Sequence, residues 1–253
     1  MKRIFLTMLL FACFFAEAAH SEEIVLCAGS GPMDSVFNPV KDAFEKETGI
    51  KIKNLFGSAS LTIKQLNTNV CEAASVGISF NEMLDIMKKE GTAIPDTASF
   101  SHVTVGKSMI HTIVNKENPV SKLSKEQLKG IFTGKITNWK QVGGDDLPII
   151  VVLSSLNPAT FTSYKKIVLD NEPFTKEVME MGRIMSDLRG AVEANLEAIC
   201  FGTSSILSNS IRRLDTPDVI RPIILITKGE PTPKIKKLID FILKGNGKKL
   251  VKE

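Results

Sequence analysis

Apolar positions along this chain fall into two alternating rhythms. EEIVLCA, IKIKNLF and AASVGI are short apolar or alternating runs of the kind that form strands. Amphipathic stretches with helical spacing lie between and after them. Val36, Val40, Ala43 and Phe44 share one face of a helix beginning near Asp34. LTIKQLN predicts a second helix, and NEMLDIMKKEG a third that Gly91 closes. Met83 and Met87 stand four apart in the third, a spacing that suits core packing. After a looser stretch, TAIPDTASFSH, a strand follows at MIHTIVN and a helix over 124–132, where Ser124 and Gln127 have capping-box spacing. LPIIVVL predicts a buried strand, residues 158–169 a helix, VIRPIILIT a last long strand, and residues 233–243 an amphipathic closing helix.

Strand and helix in alternation imply an α/β sheet with crossover helices. The chain has no internal repeat, low-complexity tract or Pro-rich linker. Two such units without a disordered linker predict two α/β lobes joined by strand-like hinges, with a cleft suited to a small ligand between them. At 253 residues and 43% hydrophobic, the chain is long enough to bury cores for both.

Charge and composition act mainly by exclusion. The net charge of +4 is spread along the sequence, and the lysines of the terminal KKLVKE read as solvated surface. With one Trp, one Tyr and no basic block interleaved with aromatics, no nucleic-acid partner is expected. Residues 1–21 have the layout of an export signal: Lys2 and Arg3, an apolar run from Ile4 to Phe15, then AEAAHS, with cleavage after Ala18 or Ser21. That run is shorter than the ~20 residues needed to span a bilayer. LFAC, ending at Cys13, faintly resembles a lipoprotein box, but FF extends the apolar run and ordinary cleavage is the expectation.

Cleavage leaves Cys27, Cys71 and Cys200, with no CxxC or CxxCH spacing. They read as buried small residues, as one disulfide with a spare thiol, or as a thiophilic ligand site. His102 and His111 are isolated and read as packing or surface residues. No nucleophile–base pairing or metal cluster emerges, so neither an enzyme nor a cofactor is expected.

One long stretch is more specific. VNKENPVSKLSKEQLKGIFTGKITNWKQVGGDDLPI closely resembles a segment of the phosphate-binding proteins of ABC transporters. The similarity extends, more weakly, over nearly the whole mature chain. It includes a Gly-Ser loop after the first strand, a second Gly-Ser before the next helix, AIC where the family has Ala-Ile-Gly, and the closing KKLIDFILKGNGKKLV. The resemblance implies a monomeric, periplasmic, two-lobed solute-binding protein that closes about a hinge. One lobe would comprise residues 22–105 with 222–253, the other residues 106–221. It implies capture of an inorganic oxyanion, most simply phosphate, for a membrane ABC permease. The alternative is a ligand sensor read by a membrane signalling receptor. Residues 118–144, with Trp139 packing over a turn, would shape the second lobe without forming the ligand cradle.

The family holds its anion with hydroxyls and backbone N–H groups at helix N-termini, where the dipole favours negative charge. Three segments match by position. Gly29, Ser30 and Gly31 open the first helix, Ser58 and Ser60 the second, and Asn157 and Thr160 stand in SSLNPAT, where the family resembles Arg-x-x-Gly-Ser-Gly-Thr. Ser154 falls at the arginine position, and no arginine occurs between Arg3 and Arg183. A guanidinium clamp is therefore expected in none of these loops. Cys71 or Glu72 lies near the place of the family's proton-accepting aspartate, and Glu72 is the candidate acceptor.

Overall fold

The computed structural model describes residues 22–92, 96–154, 158–181 and 185–251, so the export signal expected over 1–21 lies outside it. β1 (Glu23–Ala28) leads into a helical stretch in which α1 (Ser30–Pro32) passes through a π-helical turn (Met33–Phe37) into α2 (Asn38–Thr48). Next come β2 (Lys51–Phe56), α3 (Ala59–Asn67), β3 (Ala73–Val76) and α4 (Phe80–Lys89). β4 (Phe100–Asn115) carries the chain into the second lobe. There α5 (Lys125–Phe132), β5 (Ile150–Leu153), α6 (Pro158–Ile167), β6 (Val178–Glu180), α7 (Met185–Ala194), β7 (Ala198–Gly202) and β8 (Ile211–Arg213) follow in turn. β9 (Val219–Lys228) returns antiparallel to β4, and α8 (Pro233–Leu243) closes on the first lobe. The strand order is β2-β1-β3-β9-β4-β7-β5-β6, with β8 paired to β4.

The alternation of β1 decides how the first lobe is layered. Ile24, Leu26 and Ala28 enter a core with Phe44 of α2 and Leu238 of α8. Cys27 points to the other face, among Ile63 of α3 and Met83 and Met87 of α4. β1 pairs in parallel with both β2 and β3 and is covered on both faces, which suits its apolar run from Ile24 to Ala28. The helix starts are fixed by serines. Ser58, Ser79 and Ser124 each accept an N–H of the first turn, and Ser124 with Gln127 forms the expected capping box.

Two elements begin earlier than expected, and β6, α7, β7 and β8 form between α6 and β9, where none was expected. Helical backbone begins at Ser30 rather than Asp34, with Pro32 tolerated in the first turn, where its missing N–H would bond no preceding carbonyl. β4 starts at Phe100, inside the stretch read as loose, and runs 16 residues. Its first half, FSHVTVGKS, lacks an apolar face strong enough to mark a strand. The ladder with β9, from Phe100 opposite Lys228 to Ile110 opposite Val219, supplies the pairing that local sequence does not advertise.

β4 and β9 thus connect the lobes, with a register shift between Thr104 and Gly106. The lobes also touch on either side of these strands. Thr203 Oγ (3.0 Å) and the Ser205 N–H (3.3 Å) donate to the Asp34 carboxylate. Elsewhere the Lys166 ammonium pairs with Glu82 at 2.5 Å. Among the described residues, no helix is long and apolar enough to cross a membrane.

His111, on β4, is 6% exposed and contacts Ser204 Oγ through Nε2 at 3.2 Å. Burial, reinforced by Arg213 and opposed by Asp218, pushes its pKa down to about 4. The folded ring therefore stays neutral where the unfolded ring, near 6.5, takes up a proton. Stability from this residue is complete above about pH 6.5 and is lost as pH falls towards 4, by up to ~3 kcal/mol. Denaturant melts between pH 7 and 4 should show this slope, and His111→Gln should flatten it. Equal slopes in the two proteins would assign the acid sensitivity to other groups.

Candidate functional site

A cavity of about 490 Å³ opens at the C-terminal ends of β1, β2 and β3 and reaches across to α6. Chain reversal at these strand ends brings backbone and small side chains together. The Gly29–Pro32 turn, Gly57–Ala59 and Ser75–Gly77 line it from the first lobe, Ala159 and Thr160 from the second. Ser58 is exposed, and its Oγ accepts the Leu61 N–H at 3.3 Å while capping α3. Thr160 is buried in the first turn of α6.

The side chain that changes the electrostatics comes from β9. Arg221 is 4% exposed, yet its Nε and Nη1 have no hydrogen-bond partner among the described residues. It lies opposite Ser108 of β4, whose buried Oγ is likewise unpartnered. β3 ends at Val76, opposite Ile224, so Arg221 lies beyond the β3 pairing and extends over Gly77. Glycines on both sides let the backbone approach it closely. A Cβ at Gly31 would fall 2.7 Å from Nη2, and one at Gly77 would fall 3.1 Å from Nε. Burial lowers the guanidinium pKa to about 10, with nearby Asp34 opposing, so it stays charged at neutral pH. A buried cation with free donors is costly to maintain, and its natural complement is an anion in the cavity.

Of the residues singled out in the sequence, Gly29, Ser30, Gly31, Ser58 and Thr160 meet at this cavity. Ser60 does not line it. Its side chain is buried in α3, with Oγ unpartnered among the described residues. Asn157 lies outside the described residues. Glu72 stands at the opposite end of the sheet, before β3, where it pairs with Lys234 of α8 at 2.7 Å. A carboxylate there is remote from the strand ends that hold the cavity, so the acceptor expected at Glu72 must be corrected. The expectation that guanidinium is missing also needs correction in its consequence. The three loops lack arginine, but a strand of the hinge supplies it. The signal was present in VIRPIILIT, where a charge followed by proline interrupts a long apolar run.

The cysteines do not converge on the cavity. Cys27 and Cys71 are buried in one core of the first lobe and Cys200 in the second lobe, all three as free thiols. Burial raises the pKa of each. His102 stacks on Phe80 with ring centroids 4.6 Å apart. Among the described residues, no group of three His, Cys, Asp or Glu side chains is arranged to hold a metal ion.

Residues 16–246 match the model of the PBP superfamily domain. The chain is 32% identical over 181 residues to the phosphate-binding protein PstS of Bacillus subtilis, covering 70% of this chain and 57% of that protein. It therefore spans well under two thirds of that relative's length. A protein from Clostridium perfringens, described as a phosphate ABC transporter substrate-binding protein with bound phosphate, superposes with a TM-score of 0.76 at 25% identity. That match covers 91% of this chain and 96% of the other. An ABC-type phosphate transport receptor from Vibrio cholerae shares the fold, with a TM-score of 0.65 at 20% identity over 91% and 97% of the two chains. Sequence, topology and the cleft at the strand ends agree: the chain belongs to the PBP superfamily and is homologous to the PstS phosphate-binding proteins.

Proposed function

We propose that this protein captures a phosphate-type oxyanion in the cleft beneath Arg221 and delivers it, outside the cytoplasm, to a membrane ABC permease, without catalysing a reaction. The observation that carries this reading is the buried guanidinium of Arg221, a residue that lines the cavity and whose Nε and Nη1 have no partner among the described residues. The Gly29–Gly31 turn and the N-terminus of α3 at Ser58 add backbone donors and a favourable dipole. Thr160 brings a hydroxyl from the other lobe. An anion contacting both sides favours the closed arrangement. Exclusion of water then strengthens each contact. The names of the PstS relatives support phosphate as the anion and a transporter as the destination. In this reading residues 22–105 with 222–253 form one lobe, residues 106–221 the other, and a monomer suffices.

Calorimetry on the ligand-stripped protein tests it. Phosphate should bind with one site per chain, and at ~100 times its dissociation constant should add ~2.7 kcal/mol to stability. No heat and no change in melting temperature with millimolar phosphate, arsenate, sulfate or molybdate would remove the assignment.

A further inference from the structure

The cavity is larger than a bare tetrahedral anion needs. Its volume of about 490 Å³ falls in the range of sites for organic ligands, ~300–1,000 Å³. An anion of five heavy atoms takes the place of only a few waters, at ~30 Å³ each. Side-chain contacts already bridge the lobes at two places: Asp34 bonds Thr203 and Ser205, and Glu82 pairs with Lys166.

The lining is mixed: exposed Ser58 and Glu90 are polar members of it, and an apolar group stands alongside them. Arg221 is buried, and Ser108 is its strand partner. The apolar group includes two of the few large apolar residues that the surface exposes, Phe56 at 65% and Leu61 at 44%. Leu61 lies against the backbone of Gly57, where a Cβ would be 3.3 Å from its Cγ. Val76 and Ala159 are further apolar residues of the lining. Orthophosphate has nothing to offer such a group, and leaving it wet forfeits the energy of burial. An aromatic side chain at the rim of an anion site suits a ring or alkyl group carried by the anion.

Building on the anion-capture reading above, we propose that the preferred ligand is a phosphate monoester or phosphonate whose apolar substituent lies against Phe56 and Leu61, with its anionic head on Arg221. The test is calorimetry on the ligand-stripped full chain with orthophosphate, methylphosphonate, phenylphosphonate and phenyl phosphate. Phenylphosphonate and phenyl phosphate should bind at least ~tenfold more tightly than orthophosphate, with methylphosphonate between them. In the Phe56→Ala/Leu61→Ala variant that ratio should collapse to within about twofold. Orthophosphate binding as tightly as the phenyl compounds would overturn this inference and leave anion capture standing. A preference that survives the double substitution would equally overturn it, because the apolar wall would lie elsewhere. If none of the four binds to protein shown by circular dichroism to be folded, the underlying reading falls with it.

Discussion

Arg221→Met is expected to abolish anion binding while leaving the ligand-free protein as stable as the parent or more so. Hydrogen bonds to charged groups contribute ~1.5–3 kcal/mol each, and a guanidinium can make two to one anion. Losing them weakens binding by at least ~100-fold. The stability term has the opposite sign. Nε and Nη1 are buried without a partner among the described residues, and the Asp34 charge opposes the effect of that burial. Replacing a poorly compensated buried charge with an apolar side chain of similar length is often neutral, or stabilising by ~1–4 kcal/mol. Calorimetry with phosphate and thermal melts of both ligand-free proteins would read the two effects separately. A variant that still binds phosphate with parental affinity would place the anion elsewhere.

Trp139→Ala should do the reverse, destabilising the fold while leaving affinity nearly unchanged. Trp139 is 1% exposed, packs in the core of the second lobe with Leu128 and Phe132, and donates from Nε1 to the Glu197 carbonyl at 2.9 Å. Truncation removes a large buried side chain and leaves that carbonyl without this donor, at a cost of ~3–5 kcal/mol. For a chain of this size that lowers the melting temperature by roughly 10 °C. The cavity is lined by other residues, so phosphate affinity should follow the parent once both proteins are folded. An unchanged melting temperature would show that this side chain does not hold the second lobe together.

The paired outcomes separate two kinds of buried polar contact. The indole N–H of Trp139 is satisfied within its own lobe and serves the fold. Arg221 has Nε and Nη1 without a partner among the described residues, and in the proposed reading it serves a ligand. Its place on β9 also puts the charge on one of the two strands that connect the lobes. Binding and lobe arrangement therefore share a structural element.

Much of this protein could be read from the sequence because it is governed by local periodicity. The doubly buried β1, the serine-capped helices, the closing α8 and the family segment around Trp139 are patterns of neighbouring residues. The Gly-Ser turns were legible for the same reason: glycine before a hydroxyl at a strand-to-helix junction marks a helix N-terminus. What the tertiary structure alone decided depends on pairs far apart in the chain. The first half of β4 exists as a strand because β9 lies beside it. Glu72 lost its assigned role because β3 points its C-terminal end, not its start, at the cleft, and Lys234 holds that carboxylate at the far side. Arg221 became the charge of the site because antiparallel pairing sets it beside Ser108, and because Gly31 and Gly77 leave space for a guanidinium. Those residues are more than a hundred positions from Arg221, so no local periodicity connects them. Only the assembled sheet brings them within contact distance.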